Sequence, residues 1–257
     1  TDDQGYGDLA CHGNPHLKTP HLDRLHGESV RFTDFHVSQC CSPTRAQLMT
    51  GMYPSRVGVW HTVKGRSLMD SEYVTMADLF RNSGYKTGIF GKWHLGENVP
   101  YRPQDRGFDE VVIHGGGGVG NIPDYFGNDY FDDTYLHNGE FEEYEGYCTD
   151  VFFAEAIRFM DECRKNNEPF FTYLSLNAPH LPYVVAEKYR KMYAGIEAGL
   201  QEFYGMITNI DDNIGELRKH LDAWGISDNT LLIFMTDNGS SRGSGAFNAG
   251  MRGGKGT

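Results

Sequence analysis

The chain contains, at residues 86–96, the stretch KTGIFGKWHLG, in which a short apolar run ends in a cluster of polar side chains. Residues 86–90 predict a buried strand, because a run of this length bounded by turn residues is typical of strands in parallel sheets. Residues 170–176 and 230–236 have the same character. We therefore predict an α/β fold with a mostly parallel central sheet and helices on both of its faces.

Helical patterns surround these predicted strands. Apolar residues spaced by three and four predict one helix from Thr149 to about residue 164 and another over residues 200–221. A shorter helix over residues 75–82 is predicted to end at Gly84, since glycine suits the left-handed position that follows a helix.

Polar residues follow each predicted strand directly, at residues 91–94, 177–180 and 237–239. Because ligands bind beyond the carboxyl ends of strands in open α/β sheets, we expect these residues to form a functional site. Residues 1–5, TDDQG, have the same polar composition without an apolar run before them. We therefore expect the sequence to begin one strand late in its fold.

The composition of the chain restricts its possible functions. Its 257 residues include 23 Lys and Arg against 35 Asp and Glu, which gives a formal net charge of −12. This balance argues against nucleic acid or an anionic membrane as the main partner, since both require a basic surface. The apolar runs are too short for a transmembrane helix. The five cysteines are too few for a disulfide scaffold and odd in number.

Asp2, Asp3, Asp237 and Asn238 offer only oxygen ligands. The three carboxylates and one amide, if they meet at neighbouring strand ends, would need a hard cation to offset their charge, and Ca²⁺ fits them best. Mg²⁺ is a less favoured candidate, while Zn²⁺ prefers nitrogen or sulfur. The alternative interpretation is a solvated chain terminus at Asp2 and Asp3 and an ordinary turn at Asp237.

A cysteine-containing motif lies at residues 41–51. Cys41, Pro43 and Arg45 form the pattern Cys-x-Pro-x-Arg, and Leu-Met-Thr-Gly follows at residues 48–51. This pattern resembles the motif of the sulfatase family. Further blocks that resemble the family, in the family's order, span the whole chain and are found at residues 2–8, 91–96, 178–180, 237–239 and 254–257.

The resemblance implies an alkaline-phosphatase-like fold and hydrolysis of a sulfate ester, R–O–SO₃⁻, to an alcohol and sulfate. In this family a maturation enzyme oxidises the motif cysteine, here Cys41, to formylglycine, whose hydrated aldehyde is the nucleophile. A thiolate is a poor ligand for Ca²⁺, whereas the hydrate supplies oxygens. Cys41 therefore joins Asp2, Asp3, Asp237 and Asn238 as a predicted metal ligand.

The resemblance also implies a role for each remaining site residue. Arg45 and Lys92 would hold the hydrated formylglycine, and Lys255 would hold the sulfate. His180 would protonate the departing alcohol or phenol as a general acid, alone or with Lys255. His94 would take a proton from the second hydroxyl as sulfate is released.

Several alternatives stay open at this point. Cys41 could instead form a disulfide with another cysteine or stay a buried thiol, and the adjacent Cys40 departs from the family pattern. The protein could be a formylglycine-dependent phosphonate or phosphodiester hydrolase of the same superfamily, or a non-catalytic relative. Most of the 11 histidines must have ordinary structural roles, and His94 and His180 could belong with them.

We predict that residues 1–257 form the N-terminal, catalytic domain of such an enzyme, without the family's first strand and smaller C-terminal subdomain. Residues 101–147 are predicted to be an irregular insertion that forms the rim of the substrate pocket. The rim suits a sulfated sugar, an aryl sulfate being the other candidate, and its polar residues include His114, Asp124, Tyr125, Asp129 and Tyr130. The same residues would also suit a solvated loop. The resemblance implies a periplasmic, secreted or lysosomal compartment.

Overall fold

The computed structural model describes residues 1–257, which fall into two units. Unit 1 comprises Thr1–Gln39 and Ala178–Thr257, and unit 2 comprises Cys40–Asn177. The α-helices of unit 1 are α1 (Pro20–Glu28), α5 (Glu187–Lys191) and α6 (Leu200–Ala223), and those of unit 2 are α2 (Cys41–Thr50), α3 (Met76–Asn82) and α4 (Cys148–Lys165). Short 3₁₀ helices are found at Ala10–His12, Pro54–Val57, Pro103–Arg106, Ser227–Asn229 and Gly243–Gly245.

Unit 2 contains a five-stranded sheet with the strand order β4-β3-β2-β1-β5. The strands are β1 (Lys86–Lys92), β2 (Glu110–His114), β3 (Thr134–His137), β4 (Glu140–Glu143) and β5 (Phe170–Ser175). β1 pairs in parallel with both β2 and β5, while β2, β3 and β4 pair antiparallel in sequence order. The predicted α/β class is confirmed. The sheet is parallel at β2, β1 and β5 and antiparallel at its β3–β4 edge.

Side chains of β1 alternate between two packed layers. Ile89 belongs to a buried apolar cluster with Met49 of α2 and Ala77 of α3. Phe90 points to the opposite face, where its ring centroid lies 5.6 Å from that of Phe159 in α4. Helices therefore cover both faces of the sheet, as the sequence predicts.

Unit 1 has its own apolar core along α6. Phe203 and Ile207 of this helix are fully buried and cluster with Leu17. The Asp211 carboxylate on the same helix accepts the N–H groups of residues 21 and 22, at 3.1 and 2.7 Å, and so satisfies the first turn of α1. None of the helices in the chain combines the length and the apolar character that a membrane span requires.

The three helices predicted from periodicity are confirmed as α3, α4 and α6. Helix α3 follows Thr75, whose side chain accepts the N–H of Asp78 at 3.1 Å, while the Asp78 carboxylate accepts the N–H of Thr75 at 3.0 Å. This reciprocal pair satisfies two main-chain donors at the start of the helix. Gly84 lies beyond the end of α3 with φ 86°, the left-handed conformation that favours glycine.

The predicted strand at residues 230–236 is wrong. These residues belong to unit 1, no strand is formed there, and Leu231 and Ile233 are 86% and 71% exposed. A strand needs a neighbour that accepts and donates its main-chain hydrogen bonds. The Met235 carbonyl accepts from the Thr1 ammonium group at 2.9 Å, but no strand lies beside the rest of the run.

Residues 101–147 are more regular than the sequence suggests, because they contain β2, β3 and β4. The run Val-Val-Ile in β2 is β-branched and pairs with β1. Asn138 and Gly139, with φ of 51° and 97°, connect β3 to β4, which is a common pair in two-residue hairpins. The high Gly and Asp content of the segment conceals these short strands.

We predict that Gly91→Ala destabilises the protein much more than Gly84→Ala. Gly91 has φ 116°, and a Cβ there would lie 2.3 Å from the Ser175 carbonyl oxygen of β5. Gly84 also has a positive φ, yet a Cβ there would meet no atom within 4 Å. The free energy of unfolding, measured by urea denaturation, should fall by about 1 kcal/mol for Gly84→Ala and by about 3 kcal/mol or more for Gly91→Ala. Equal losses would contradict the close approach of β1 and β5.

Candidate active site

The candidate residues of unit 1 gather around Asp3. Asp2 and Asp3 have no exposed surface, and Asp237 and Asn238 are also buried. The Asp3 N–H donates to Asp237 Oδ1 at 3.1 Å, and Asn238 Nδ2 donates to Asp3 Oδ1 at 2.9 Å. The Asp2 N–H donates to the carbonyl of Ala178 at 3.1 Å. The acidic pair at the start of unit 1 is thus ordered, and a frayed terminus is not observed.

The side-chain oxygen of Asn238 is a buried acceptor that receives no hydrogen bond. Its Nδ2 group donates two hydrogen bonds, one to Asp3 Oδ1 and one to the Gly239 carbonyl at 3.0 Å. An unsatisfied buried polar atom costs about 1–3 kcal/mol. Because hard cations take carboxylate and amide oxygens, this oxygen, on a side chain that also contacts the Asp3 carboxylate through Nδ2, fits a Ca²⁺ ligand.

Lys255 and His180 both lie close to the second carboxylate oxygen of Asp3. Lys255 Nζ donates to Asp3 Oδ2 at 2.7 Å, and His180 Nε2 is 3.8 Å from the same atom. His180 Nδ1 lies 2.6 Å from the carbonyl oxygen of Leu181. Since a carbonyl can only accept, Nδ1 carries a proton, and Nε2 is the nitrogen directed towards Asp3.

The candidate residues of unit 2 are organised by the main-chain oxygen of Lys92, at the carboxyl end of β1. Arg45 Nη1 donates to this oxygen at 2.9 Å, and Ser175 Oγ of β5 donates to it at 2.8 Å. Lys92 has no exposed surface, and Arg45 is 3% exposed. Cys41 is the first residue of α2, one turn before Arg45. The start of α2 is therefore fixed to the end of β1.

Cys41 itself is buried, and no disulfide joins any two of the five cysteines. The disulfide alternative for Cys41 is therefore not observed. Its position at the beginning of a ten-residue helix is electrostatically favourable for a group that carries negative charge. Ser42 Oγ donates to the His94 carbonyl at 2.8 Å, which makes a second link from α2 to the residues after β1.

His94 is an uncharged imidazole, and one of its two ring nitrogens is buried without a hydrogen-bond partner. Its Nε2 donates to the Thr62 carbonyl at 3.0 Å, and its Nδ1 has no hydrogen-bond partner in the protein. Burial, followed by the charges of Lys92 and Arg45, lowers the pKa of His94 to about 2. A Cβ on Gly117 would lie 2.9 Å from the His94 ring, so glycine is needed there.

A cavity of about 350 Å³ opens beside His94. It is lined by Gly65, Ser67, Leu68, His94, Gly96, Glu97 and Asn98. The Glu97 carboxylate accepts the N–H of Gly116 at 2.6 Å, while burial raises the pKa of Glu97. The cavity thus combines a neutral imidazole with several groups that can bind hydroxyls.

The five polar residues named for the rim differ in their availability. His114 and Tyr130 are buried, so they present little surface to a ligand. Asp124 accepts two main-chain N–H groups of its own loop, at 2.9 and 2.8 Å, and therefore stabilises that loop. Tyr125 and Asp129 are exposed.

Sequence reasoning missed three residues that organise the unit 2 group, namely Ser42, Ser175 and Gly117. The two serines bind main-chain oxygens of Lys92 and His94, and a lone serine carries no sequence signal for such a partner. Gly117 lies in a run of four glycines, which predicts flexibility. The structure shows instead that the His94 ring occupies the space of its missing side chain.

Comparison with known proteins gives these residues a family context. The sulfatase family model matches residues 1–256. The ulvan-active sulfatase of Formosa agariphila is 32% identical over 258 residues, which cover 92% of this chain and 48% of that protein. The N-acetylgalactosamine-6-sulfatase of Rattus norvegicus is 31% identical over 269 residues, which cover 93% of this chain and 49% of that protein. The chain spans about half the length of these curated relatives.

A solved structure also matches the fold. The crystal structure of Ps i-CgsB in complex with k-i-k-neocarrahexaose has a TM-score of 0.91 at 31% sequence identity. The match covers 100% of this chain and 61% of that one. It supports the alkaline-phosphatase-like α/β fold that the sequence resemblance implies.

We predict that His94 makes the protein less stable in acid. Its pKa is about 2 in the folded protein against 6.5 for an ordinary histidine. Between these values the unfolded chain binds a proton that the folded chain does not, so stability falls as the pH drops below 6.5. At roughly pH 5 the loss relative to neutral pH should be about 2 kcal/mol.

The measurement is urea denaturation of wild type and His94→Asn across this pH range, since asparagine tolerates the left-handed backbone at φ 59°. Between neutral pH and pH 5, the variant should lose about 2 kcal/mol less of its free energy of unfolding than wild type does. His36→Asn, which removes an exposed histidine, is the matched control and should follow wild type. Parallel pH profiles for wild type and His94→Asn would show that His94 is not buried as a neutral base.

Proposed function

Because the chain belongs to the sulfatase family, we propose that it carries the catalytic residues for hydrolysis of a sulfate ester, R–O–SO₃⁻, to an alcohol and inorganic sulfate. The observation that carries this proposal is the family match over residues 1–256, which includes every candidate residue of both units. The buried Cys41 at the start of α2 and the oxygen-rich group around Asp3 are the structural features that support it.

Cys41 is the proposed position of the nucleophile. When oxidised to formylglycine by a maturation enzyme, it supplies a hydrated aldehyde whose hydroxyl can attack sulfur. Arg45 and Lys92 are proposed to hold that hydrate, and both are buried cationic residues. Arg45 is already oriented through its bond to the Lys92 carbonyl, so little reordering is needed when it binds an anion.

His180 is proposed as the general acid that protonates the leaving oxygen of the ester. Its Nε2 is directed towards Asp3, 3.8 Å away, and a carboxylate at this distance favours a proton on that nitrogen. Lys255, bonded to the same carboxylate, is proposed to hold the sulfate and to serve as an alternative donor. The leaving group thus departs as a neutral alcohol or phenol.

His94 is proposed as the base of the second half of the reaction. Its Nδ1 has a lone pair and no hydrogen-bond partner in the protein, and the residue lines the adjoining cavity. It would accept the proton of the second hydroxyl as sulfate is released. Binding of an anionic substrate offsets the nearby positive charges of Lys92 and Arg45, which raises the basicity of His94 for this step.

Asp2, Asp3, Asp237 and Asn238 are proposed to hold Ca²⁺, with Cys41 in its oxidised form as a further ligand. The fit rests on the unsatisfied Oδ1 of Asn238 and on the all-oxygen character of the set. When bound, the ion supplies positive charge that stabilises the anionic groups of the reaction. Mg²⁺ is the less favoured occupant, because it demands a stricter octahedral geometry.

A saccharide sulfate ester is the proposed substrate. The names of the matched proteins refer to ulvan, N-acetylgalactosamine and a neocarrahexaose. The cavity beside His94 offers Ser67, Glu97 and Asn98 for sugar hydroxyls, and Tyr125 and Asp129 are the exposed candidates from residues 101–147. A compartment outside the cytosol, as the family resemblance implies, is part of the same proposal.

We predict that Cys41→Ala abolishes sulfate release whereas Cys40→Ala retains it. The two cysteines are adjacent, and only Cys41 occupies the first position of α2 in the motif. The protein and both variants would be co-produced with a formylglycine-generating enzyme and assayed with an aryl sulfate and a sulfated sugar. Loss of the nucleophile should lower the rate by at least about 10³-fold.

Two results would contradict this assignment. Activity of Cys41→Ala equal to that of Cys40→Ala would remove Cys41 from the mechanism. If the wild-type protein hydrolyses an aryl phosphodiester faster than an aryl sulfate, the phosphodiester hydrolase alternative is favoured.

We predict that Ca²⁺ raises the melting temperature of the protein and that Asp237→Asn weakens this effect. The asparagine keeps an oxygen to accept the Asp3 N–H but removes a negative charge from the site. A ligand at 100 times its Kd stabilises a folded protein by about 2.7 kcal/mol. Thermal unfolding would be followed with and without Ca²⁺, after removal of metals with a chelator.

Asp228→Asn is the matched control, because Asp228 is exposed and lies in a 3₁₀ helix outside the group. It should respond to Ca²⁺ as wild type does. A Ca²⁺ response that is unchanged in Asp237→Asn would place the ion elsewhere, and a response to Zn²⁺ but not to Ca²⁺ would contradict the hard-cation assignment.

A further inference from the structure

Cys11, His12 and His26 form a cluster in unit 1 that the proposed sulfatase chemistry does not use. Each offers one sulfur or ring nitrogen, and these atoms all lie within 4.8 Å of one another. Cys11 and His12 belong to the 3₁₀ helix Ala10–His12, and His26 lies in the last turn of α1. All three residues are half-buried, so an ion could reach them from solvent.

The two histidines present lone pairs rather than protons at one nitrogen each. His12 Nδ1 donates to the Tyr6 carbonyl at 2.7 Å, which leaves Nε2 as the acceptor, and the Tyr6 ring stacks on the imidazole at 4.0 Å. His26 Nε2 lies 3.4 Å from Arg31 Nη1, and because a guanidinium can only donate, this nitrogen also carries a lone pair. Ligating histidines commonly donate their other N–H to a carbonyl, which orients the ring as seen for His12.

Cys11 is held beside a carboxylate. Its N–H donates to Asp23 Oδ1 at 2.9 Å, and Thr19 Oγ1 fixes the same oxygen at 3.1 Å. Burial, followed by the charge of Asp23, raises the pKa of the Cys11 thiol to about 11. Burial also lowers the pKa of His12.

We propose that Cys11, His12 and His26 bind Zn²⁺, with the Asp23 carboxylate as the adjacent acid that orients Cys11 and offsets charge. A thiolate and two imidazoles are the ligands that zinc prefers, and Ca²⁺ does not take them. With the carboxylate included, the charges of the ion, the thiolate and Asp23 sum to zero. The exposed Arg31 contact at 3.4 Å is weak enough for an ion to replace.

A zinc ion at this site would link two segments of unit 1. It would join the 3₁₀ helix that follows residues 1–8 to the carboxyl end of α1, by ligands rather than by apolar packing, because none of the residues of that 3₁₀ helix is buried. The site is chemically distinct from the oxygen set around Asp3. The two sites can therefore be loaded separately, and the zinc proposal does not depend on sulfatase activity.

Cobalt binding tests the proposal directly, since Co²⁺ substitutes for zinc and a cobalt–thiolate bond gives a near-ultraviolet charge-transfer band. The chain would carry Cys41→Ala, which removes the thiol of the proposed active site, and Ca²⁺ would be present to fill the oxygen set. We expect one equivalent of Co²⁺ to produce the band, release of one proton by Cys11, and displacement of Co²⁺ by Zn²⁺.

Adding Cys11→Ser should abolish the charge-transfer band, and adding His26→Asn should weaken zinc binding. Adding Cys40→Ser, a change at another half-buried cysteine, is the matched control and should leave the band intact. Asp23→Asn keeps an oxygen for the Cys11 N–H but loses the charge, and it should lower zinc affinity by roughly 10- to 100-fold. Circular dichroism would check that each variant is folded.

Two outcomes would overturn the proposal. One is the absence of a cobalt–thiolate band in the folded Cys41→Ala protein. The other is a band that persists in Cys11→Ser or disappears in Cys40→Ser. Either result would leave Cys11, His12 and His26 as ordinary packing residues.

Discussion

The ion pair between Asp3 and Lys255 is the interaction on which the candidate site of unit 1 depends. The two residues are 252 positions apart in the sequence, and the Asp3 carboxylate has no exposed surface. A buried charge without partners costs several kcal/mol, so the fold must bring donors to it. Lys255 and Asn238 supply them, and a Cβ on Gly239 would lie 2.6 Å from Gly254, which shows how closely their two segments approach.

In unit 2 the organising group is the main-chain carbonyl of Lys92. Arg45 and Ser175 both donate to it, so one oxygen links the first turns of α2 and the end of β5 to the end of β1. Cys41 gains a fixed position because it lies one turn before Arg45 on a helix that is anchored in this way. Chemistry that needs cations in defined places is better served by such preorganised contacts than by flexible surface residues.

The sequence predicts the periodic elements and the residue types of the site. It does not predict features that depend on which strands pair or on how a side chain is oriented. α4 and α6 are long enough for their apolar spacing to be unambiguous, whereas β1 and β5 are short apolar runs that did find pairing partners. Residues 230–236 have the composition of a strand, but strand formation depends on a neighbour that composition cannot reveal. Motif resemblance could name His94, whereas its left-handed backbone and its unpartnered Nδ1 follow from the tertiary fold. Among the predicted rim residues, His114 and Tyr130 are buried and therefore offer little surface to a ligand. No pattern in residues 101–147 indicates this burial.

The proposed function depends most on the conversion of Cys41 to the nucleophile of a sulfate ester hydrolase. Peptide mass spectrometry of an active preparation tests it most directly, because trypsin releases residues 32–45 with both Cys40 and Cys41. We expect the side chain of Cys41 to be converted from CH₂SH to CHO, while Cys40 keeps its thiol. An unmodified Cys41 thiol throughout a preparation that hydrolyses sulfate esters would show that Cys41 is not the source of the nucleophile.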